Sequence, residues 1–371
     1  MTFATIPEVL AALKRGEMIV LVDDEDRENE GDLVMAAQFA DTKSIAFMAT
    51  KGCGLICLAM AGKLLDRLGL PLMTTDNRSR MGTAFTLSIE AREGVTTGIS
   101  AADRARTVQV AITPESRPQD IVVPGHVFPL RARDGGVLVR AGHTEAAVDL
   151  AQLAGLTQAG VICEIMQGDG SMARLPELQA FAQTHGLLLA SIADLIAWRE
   201  ARESLVQLVA EAEITTESGP FRAYAFANTL NGEHHLALVR GERLGPGRIC
   251  AEPVLVRVQQ EAVLADVFTV VPNRIDLRQC LARIAAAGDG VLLVVNDVAN
   301  RSLPSQLVAL GGIDRRPQPQ VAVSMDLRDY GIGAQVLHAL GVRKMRLLTA
   351  TDRPITALSG HGLEVVERLR P

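Results

Sequence analysis

The segment Met18-Ile19-Val20-Leu21-Val22-Asp23-Asp24-Glu25-Asp26-Arg27-Glu28-Asn29-Glu30-Gly31-Asp32-Leu33-Val34-Met35-Ala36-Ala37 reads as a buried-type strand, an acid-rich loop and a second apolar strand. Between Asp23 and Asp32 lie seven carboxylates and one arginine. Carboxylates this dense repel one another, so a folded chain leaves them in water or offsets them with a cation, a basic side chain or backbone donors. A solvated loop is the commoner fate of a charge run. Here apolar strands hold the acid at a strand end, where sites are often built, which predicts a site for a hard divalent cation and a phosphorylated, oxygen-rich substrate. A helix–loop–helix calcium site is excluded by counting. Asp26, Glu28, Glu30 and Gly31 imitate its first, third, fifth and sixth positions, but the twelfth is Ala37 where a bidentate glutamate is required.

A chain of 371 residues is long for one domain, and two units of roughly 150–200 residues are expected. The net charge of −6 argues against nucleic acid as the main partner, because binding a phosphate backbone needs a basic face. Aromatic residues at 3% leave few platforms for stacking bases, so the cores are built from Ala, Val, Leu and Ile. Five cysteines, an odd number without a secretory segment, predict a reduced, cytoplasmic protein. No apolar stretch approaches the length of a membrane span.

Outward from the acidic loop, Ile6–Arg15 reads as a short amphipathic helix closed by Gly16. Further strands are predicted at Leu55–Met60, Ala84–Ile89, Val137–Val139 and Val161–Ile165, and helices at Thr42–Thr50, Thr144–Leu153 and Pro176–His185. Elements that mix without strict alternation predict an α/β fold of the α+β sandwich kind. Asp194–Glu213 has a helical pattern, and Thr215–Pro220 follows as turn punctuation, so the boundary is placed near 205, giving domains 1–205 and 206–371. The second domain is read as α/β as well, with strands at Arg222–Ala227, His235–Val239, Pro253–Val258 and Val291–Val295 and a helix between Asp276 and Gly288.

Several segments carry possible chemistry. In Arg140-Ala141-Gly142-His143-Thr144-Glu145, small residues admit backbone amides to a ligand, Thr144 can cap a helix whose N-terminus attracts phosphate, and Arg140 can pair with that phosphate. His143 is then a metal ligand or a proton carrier; otherwise it is an incidental surface histidine beside a well-capped helix. Pro124-Gly125-His126-Val127-Phe128-Pro129 places a second histidine in a constrained loop, in a functional or a structural role. Glu164, among Val161, Ile162, Cys163 and Ile165, is a carboxylate that desolvation would tune toward acid–base work, or else the polar face of an edge strand. Cys53 and Cys57 lack a second pair and do not make a zinc site. Thr96-Thr97-Gly98-Ile99-Ser100 is a hydroxyl-rich turn for sugar or phosphate, or a plain helix start.

Four ordered motifs, Asp24–Asp32, Glu93-Gly94-Val95-Thr96-Thr97-Gly98, Pro124–Leu130 and Gly142–Glu145, together resemble 3,4-dihydroxy-2-butanone 4-phosphate synthase of riboflavin biosynthesis over nearly all of residues 1–200. The resemblance implies conversion of D-ribulose 5-phosphate to L-3,4-dihydroxy-2-butanone 4-phosphate and formate, with Mg²⁺ or Mn²⁺ as a pair of ions, in a homodimer with active sites at the subunit interface. Carried over by motif, Glu28 and His143 bind metal. Arg27, Glu28, Asp32, Arg140, Ala141, Gly142, His143, Thr144 and Glu164 surround the sugar phosphate, and His126 and Glu164 serve catalysis.

The second half resembles GTP cyclohydrolase II through His235–Val239, Val254–Val258, Asp266-Val267-Phe268, Arg328–Gln335 and Arg346–Thr349. That family holds a catalytic zinc with three cysteines, and the matching positions here are Ala262, Asn273 and Ile275. The family's Glu- and Arg-rich loop is replaced by Asn296–Ser302, while Asp326 and Arg328 persist. The expectation is a synthase whose second domain, without zinc, has lost the hydrolase chemistry. A bifunctional enzyme with a rearranged metal site and a non-catalytic regulatory or dimerisation module are the alternatives.

Overall fold

The acidic loop connects two neighbouring strands, β1 (Ile19–Val22) and β2 (Gly31–Ala36), paired antiparallel with Val22 opposite Gly31. Every residue of both strands is buried, which explains their unbroken apolar character on either side of the acid. In this computed structural model the structure describes residues 2–370 apart from 25–26, 75, 78, 80, 231, 262, 267–275, 297–306, 308–326 and 350–361. The chain divides into two units, Met1–Trp198 and Arg199–Pro371.

The first unit adds β3 (Cys57–Met60), β4 (Ile89–Ala91), β5 (Ile121–Arg131), β6 (Ala159–Glu164) and β7 (Leu188–Ser191). They form one mixed seven-stranded sheet in the order β4-β5-β3-β6-β2-β1-β7. Its helices are α1 (Ile6–Lys14), α2 (Thr42–Phe47), α3 (Gly62–Arg67), α4 (Ala101–Ile112), α5 (His143–Leu153), α6 (Leu175–His185) and α7 (Ile192–Glu200). Leu33, Met35, Val161 and Cys163 share a core with Val108 and Ala111 of α4. Strand alternation therefore turns Asp32, Val34, Ile162 and Glu164 to the other face. There α5 covers them so closely that a Cβ on Gly160 of β6 would lie 2.9 Å from the Cβ of Ala147.

The second unit is also α/β. Its strands are β8 (Val206–Thr216), β9 (Gly219–Asn228), β10 (His234–Arg240), β11 (Val254–Gln260), β12 (Gly290–Val295), β13 (Lys344–Leu348) and β14 (Glu364–Leu369). Their order is β14-β13-β11-β12-β10-β9-β8. Its helices among the described residues include α8 (Val263–Asp266), α9 (Leu277–Ala287) and α10 (Leu327–Ala339). Asp276 caps α9 by accepting from the Arg278 amide at 2.8 Å, and Gly288 follows its last turn.

Some expectations are corrected. Val137–Val139 is not a strand but belongs to a 3₁₀ turn, Gly136–Leu138. Gly136 has φ +64°, and the Val137 amide donates to Asp149 of α5 at 2.8 Å, so the segment is pinned as a turn. The strand expected at Ala84–Ile89 is confined to β4, starting at Ile89, whereas Thr42–Thr50 is helical as expected, α-helical to Phe47 and π-helical over Met48–Gly52. The helical reading of Asp194–Glu213 fails beyond Glu200, where β8 replaces it. Its Ala and Glu favour helix, but Val206, Leu208, Ala210, Ala212 and Ile214 alternate with period two, and pairing with β9 decides the outcome. His126 lies inside β5 and not in a loop. No helix among the described residues is long and apolar enough to cross a membrane.

Candidate active site

Register brings the acids together. Asp32 on β2 stands directly opposite Glu164 on β6, and one strand over Leu21 of β1 pairs with Asp32. His143, the first residue of α5, reaches down to this point with only 6% of its surface exposed. Its Nε2–H donates to the Leu21 carbonyl at 3.1 Å, which fixes the tautomer and leaves Nδ1 as a bare lone pair. That lone pair faces Glu28 at 4.0 Å and Asp32 at 3.9 Å. A lone pair and carboxylates offer one another no donor, so the arrangement calls for a cation or a proton between them. Ligand atoms of Asp23, Glu28 and His143 lie within 4.8 Å of one another. An imidazole with a carbonyl-fixed tautomer and two carboxylates suits a divalent ion of the Mg²⁺ or Mn²⁺ kind.

The loop is built around Asp23. Its wholly buried carboxylate accepts from the amides of Glu28 at 3.1 Å and Glu30 at 2.8 Å. Arg27 bridges Asp23 at 2.8 Å and Glu28 at 2.7 Å, so this arginine already serves the loop's own carboxylates. Burial first, and then Glu164, Glu28, Glu30 and Asp23, push the Asp32 carboxyl well above its ordinary range. Burial pulls His143 down, against the nearby carboxylate of Asp23, and keeps it neutral.

A raised folded-state value means that Asp32 contributes stability when protonated and loses it as pH rises through that value. Metal-free protein should therefore melt at falling temperature as pH climbs from the ordinary carboxylate range through that raised value. The Mg²⁺-induced rise in melting temperature should grow over the same interval. Scanning calorimetry at several pH values checks this, and Asp32→Asn should flatten the dependence; an unchanged slope in that variant refutes it.

Glu164 is held by the Leu55 amide, which donates to its Oε2 at 2.8 Å. The neighbouring Gly54 leaves room for it, since a Cβ there would stand 2.6 Å from that same oxygen. Burial pushes the thiol of Cys57 up, and that of Cys163 up to about 12, which disfavours the nucleophilic thiolate at both. Arg140 is fixed by Glu145 at 2.6 Å and by the Met81 carbonyl and Thr83 hydroxyl at 3.2 Å. A side chain on Gly142 would meet that guanidinium at 2.3 Å. Gly142, not Thr144, occupies the helix cap, and Thr144 is buried within the first turn. The amides of this first turn, beside Ala141 and Gly142, have no partner in the helical ladder, an arrangement that favours a negative charge in front of it.

His126 stands apart from this cluster. It pairs through Nδ1 with Glu90 of β4, and its side chain is 46% exposed. The Glu90 carboxylate fills the space where Gly98 would otherwise carry a Cβ. The Thr96–Ser100 turn is a helix start: Ser100 caps α4, and Thr96 and Gly98 donate to Asp103. Sequence reasoning missed the distinct places of Asp23 and Glu90. For Asp23 a signal existed, because it is the first carboxylate after a buried strand. Glu90 meets His126 across a long sequence separation that carries no local pattern.

The family model for 3,4-dihydroxy-2-butanone 4-phosphate synthase matches residues 7–198, and that for GTP cyclohydrolase II matches residues 207–370. A 3,4-dihydroxy-2-butanone 4-phosphate synthase of Pseudomonas aeruginosa is 48% identical over 372 residues, covering 100% of this chain and 99% of its own. The crystal structure of RibBX, a two-domain 3,4-dihydroxy-2-butanone 4-phosphate synthase from A. baumannii, is similar with a TM-score of 0.77 and 39% identity over 99% of both chains. The crystal structure of a 3,4-dihydroxy-2-butanone 4-phosphate synthase in complex with two magnesium ions matches 54% of this chain and 98% of its own, with a TM-score of 0.53 and 43% identity. With its acidic hairpin, its opposed Asp32 and Glu164 and its second α/β unit, the chain belongs to the 3,4-dihydroxy-2-butanone 4-phosphate synthase family of riboflavin biosynthesis, fused to a domain of the GTP cyclohydrolase II family.

Proposed function

We propose that Glu28 and His143, with Asp23 beside them, hold the divalent ions, Mg²⁺ or Mn²⁺ and two per site, with which this synthase converts D-ribulose 5-phosphate to L-3,4-dihydroxy-2-butanone 4-phosphate and formate. The observation that carries this reading is the bare Nδ1 of His143 facing two carboxylates. When bound, the ion supplies Lewis-acid polarisation of the ketose carbonyl and a neighbouring hydroxyl. The free amides of the first turn of α5, with Thr144 and Arg140, take the phosphate. Arg27 balances Asp23 and Glu28 and orients them. Asp32 and Glu164, opposed across β2 and β6, are assigned to proton transfer, burial and the neighbouring carboxylates having raised the Asp32 carboxyl well above its ordinary range.

His126, exposed and paired with Glu90, is assigned to the site of a second subunit in a homodimer. This is supported by its separation from the Glu28 cluster within one chain. Mixing Glu28→Gln and His126→Ala proteins, each inactive alone, tests the whole assignment. Random dimers should recover roughly a quarter of wild-type formate release, because half of them carry one intact site. Mixtures that stay inactive overturn the shared site. The second domain is assigned a fold without zinc and without GTP hydrolysis. It has no cysteine at the family's three ligand positions, Ala262, Asn273 and Ile275, which, with Asp326 and residues 297–302, lie outside the described residues.

A further inference from the structure

The acidic hairpin is clamped from outside by one side chain. Arg174, immediately before α6, donates from Nη1 to the Glu28 carbonyl at 2.9 Å and to the Asn29 carbonyl. Its own amide donates to Glu177 at 3.1 Å, fixing the residue at the helix cap. The same helix presses on the hairpin's far end, where a Cβ on Gly31 would lie 2.5 Å from Leu178. Asn29 is held at φ +55°, a left-handed conformation that a non-glycine residue keeps only where its surroundings impose it. Arg174 supplies that imposition by drawing both carbonyls flanking the Asn29 amide and α-carbon toward one guanidinium.

The clamp also reports to the opposite wall of the site. The Ala173 amide donates to Ile165 at 3.0 Å, and the Ile165 amide donates to Gly31 at 2.9 Å. Arg174 is thus tied in two steps to the strand end carrying Glu164 and directly to the peptide carrying Glu28. We infer that Arg174 is a positioning residue for cation binding: it touches neither the ion nor the substrate, but holds the Glu28 backbone so that its carboxylate stays turned to His143. The inference rests on the assignment of Glu28 and His143 as the cation site.

The test is Mn²⁺ binding to full-length protein, followed by the electron paramagnetic resonance signal of free Mn²⁺, alongside steady-state kinetics. Arg174→Gln should weaken Mn²⁺ binding roughly 10–100-fold, the usual effect of losing a group that orients a ligand. Its kcat should approach wild type once Mg²⁺ is saturating, while the Mg²⁺ concentration for half activity rises by a similar factor. Arg174→Lys, which keeps the charge but ends in a more strongly hydrated ammonium on a shorter stem, should fall between the two. That variant also decides the matter if Arg174→Gln proves insoluble. Wild-type Mn²⁺ affinity in Arg174→Lys and in any soluble Arg174→Gln overturns the inference. If wild-type protein itself binds no Mn²⁺, it is the cation site that fails.

Discussion

Glu28→Gln is expected to lower formate release from D-ribulose 5-phosphate by at least about 10²-fold at saturating substrate and 10 mM-scale Mg²⁺, since even groups outside a metal's ligand shell are worth 10–100-fold. The substitution keeps shape and removes charge. Asp23 still holds Arg27 at 2.8 Å, and the amides of Glu28 and Glu30 still bind Asp23, so the hairpin keeps its frame. What is lost is one of the two carboxylates facing His143 Nδ1. His143→Ala should be at least as severe, because it removes the nitrogen donor altogether and leaves a buried gap at the head of α5.

A solvated acidic loop makes the opposite forecast. Removing one of several mutually repelling carboxylates would then relieve strain and raise stability without touching activity. The two readings separate in one set of measurements, with formate release and the melting temperature taken with and without Mg²⁺. The cation reading predicts a metal-free melting temperature at or above wild type, a diminished response to Mg²⁺ and lost turnover. Full activity in Glu28→Gln refutes it.

The parts of this molecule legible in the sequence are those fixed by local pattern. Two apolar runs flanking acid gave β1, β2 and the hairpin between them, and the four motifs gave the synthase fold that the comparisons bear out. Pairing register was not legible. Nothing local says that Asp32 stands opposite Glu164, or that the Leu21 carbonyl will accept a hydrogen bond from His143, because these depend on strands brought together from distant parts of the chain. Burial was equally hidden. Asp23 and Asp32 look alike in an acidic run, yet one is satisfied by backbone amides and Arg27 and the other is buried among carboxylates that push its carboxyl well above the ordinary range. The failure at β8 has a similar cause: a stretch of Ala and Glu with helical propensity becomes a strand because β9 offers a partner.

Full-length protein is expected to contain no stoichiometric zinc when prepared without chelator, and to release no formate from GTP under conditions where it turns over ribulose 5-phosphate. A catalytic zinc needs three protein ligands and an open position. In the second half of the chain the only thiols are Cys250 and Cys280. Cys250 is buried in one core beside Val254 and Val342, donating to the Glu252 carbonyl at 3.6 Å. Cys280 is buried on α9 in another core with Ile284 and Leu292, where burial pushes its thiol up. Thiols in separate cores cannot share an ion, and a thiol whose pKa is raised resists becoming the thiolate that zinc requires. At the end of β11, Gln259 is committed to Asp266 at 2.8 Å and to Arg257. Metal analysis by mass spectrometry and a formate assay with GTP decide the matter together. One zinc per chain with GTP-dependent formate release would establish a second active site and overturn the assignment of a second domain without zinc.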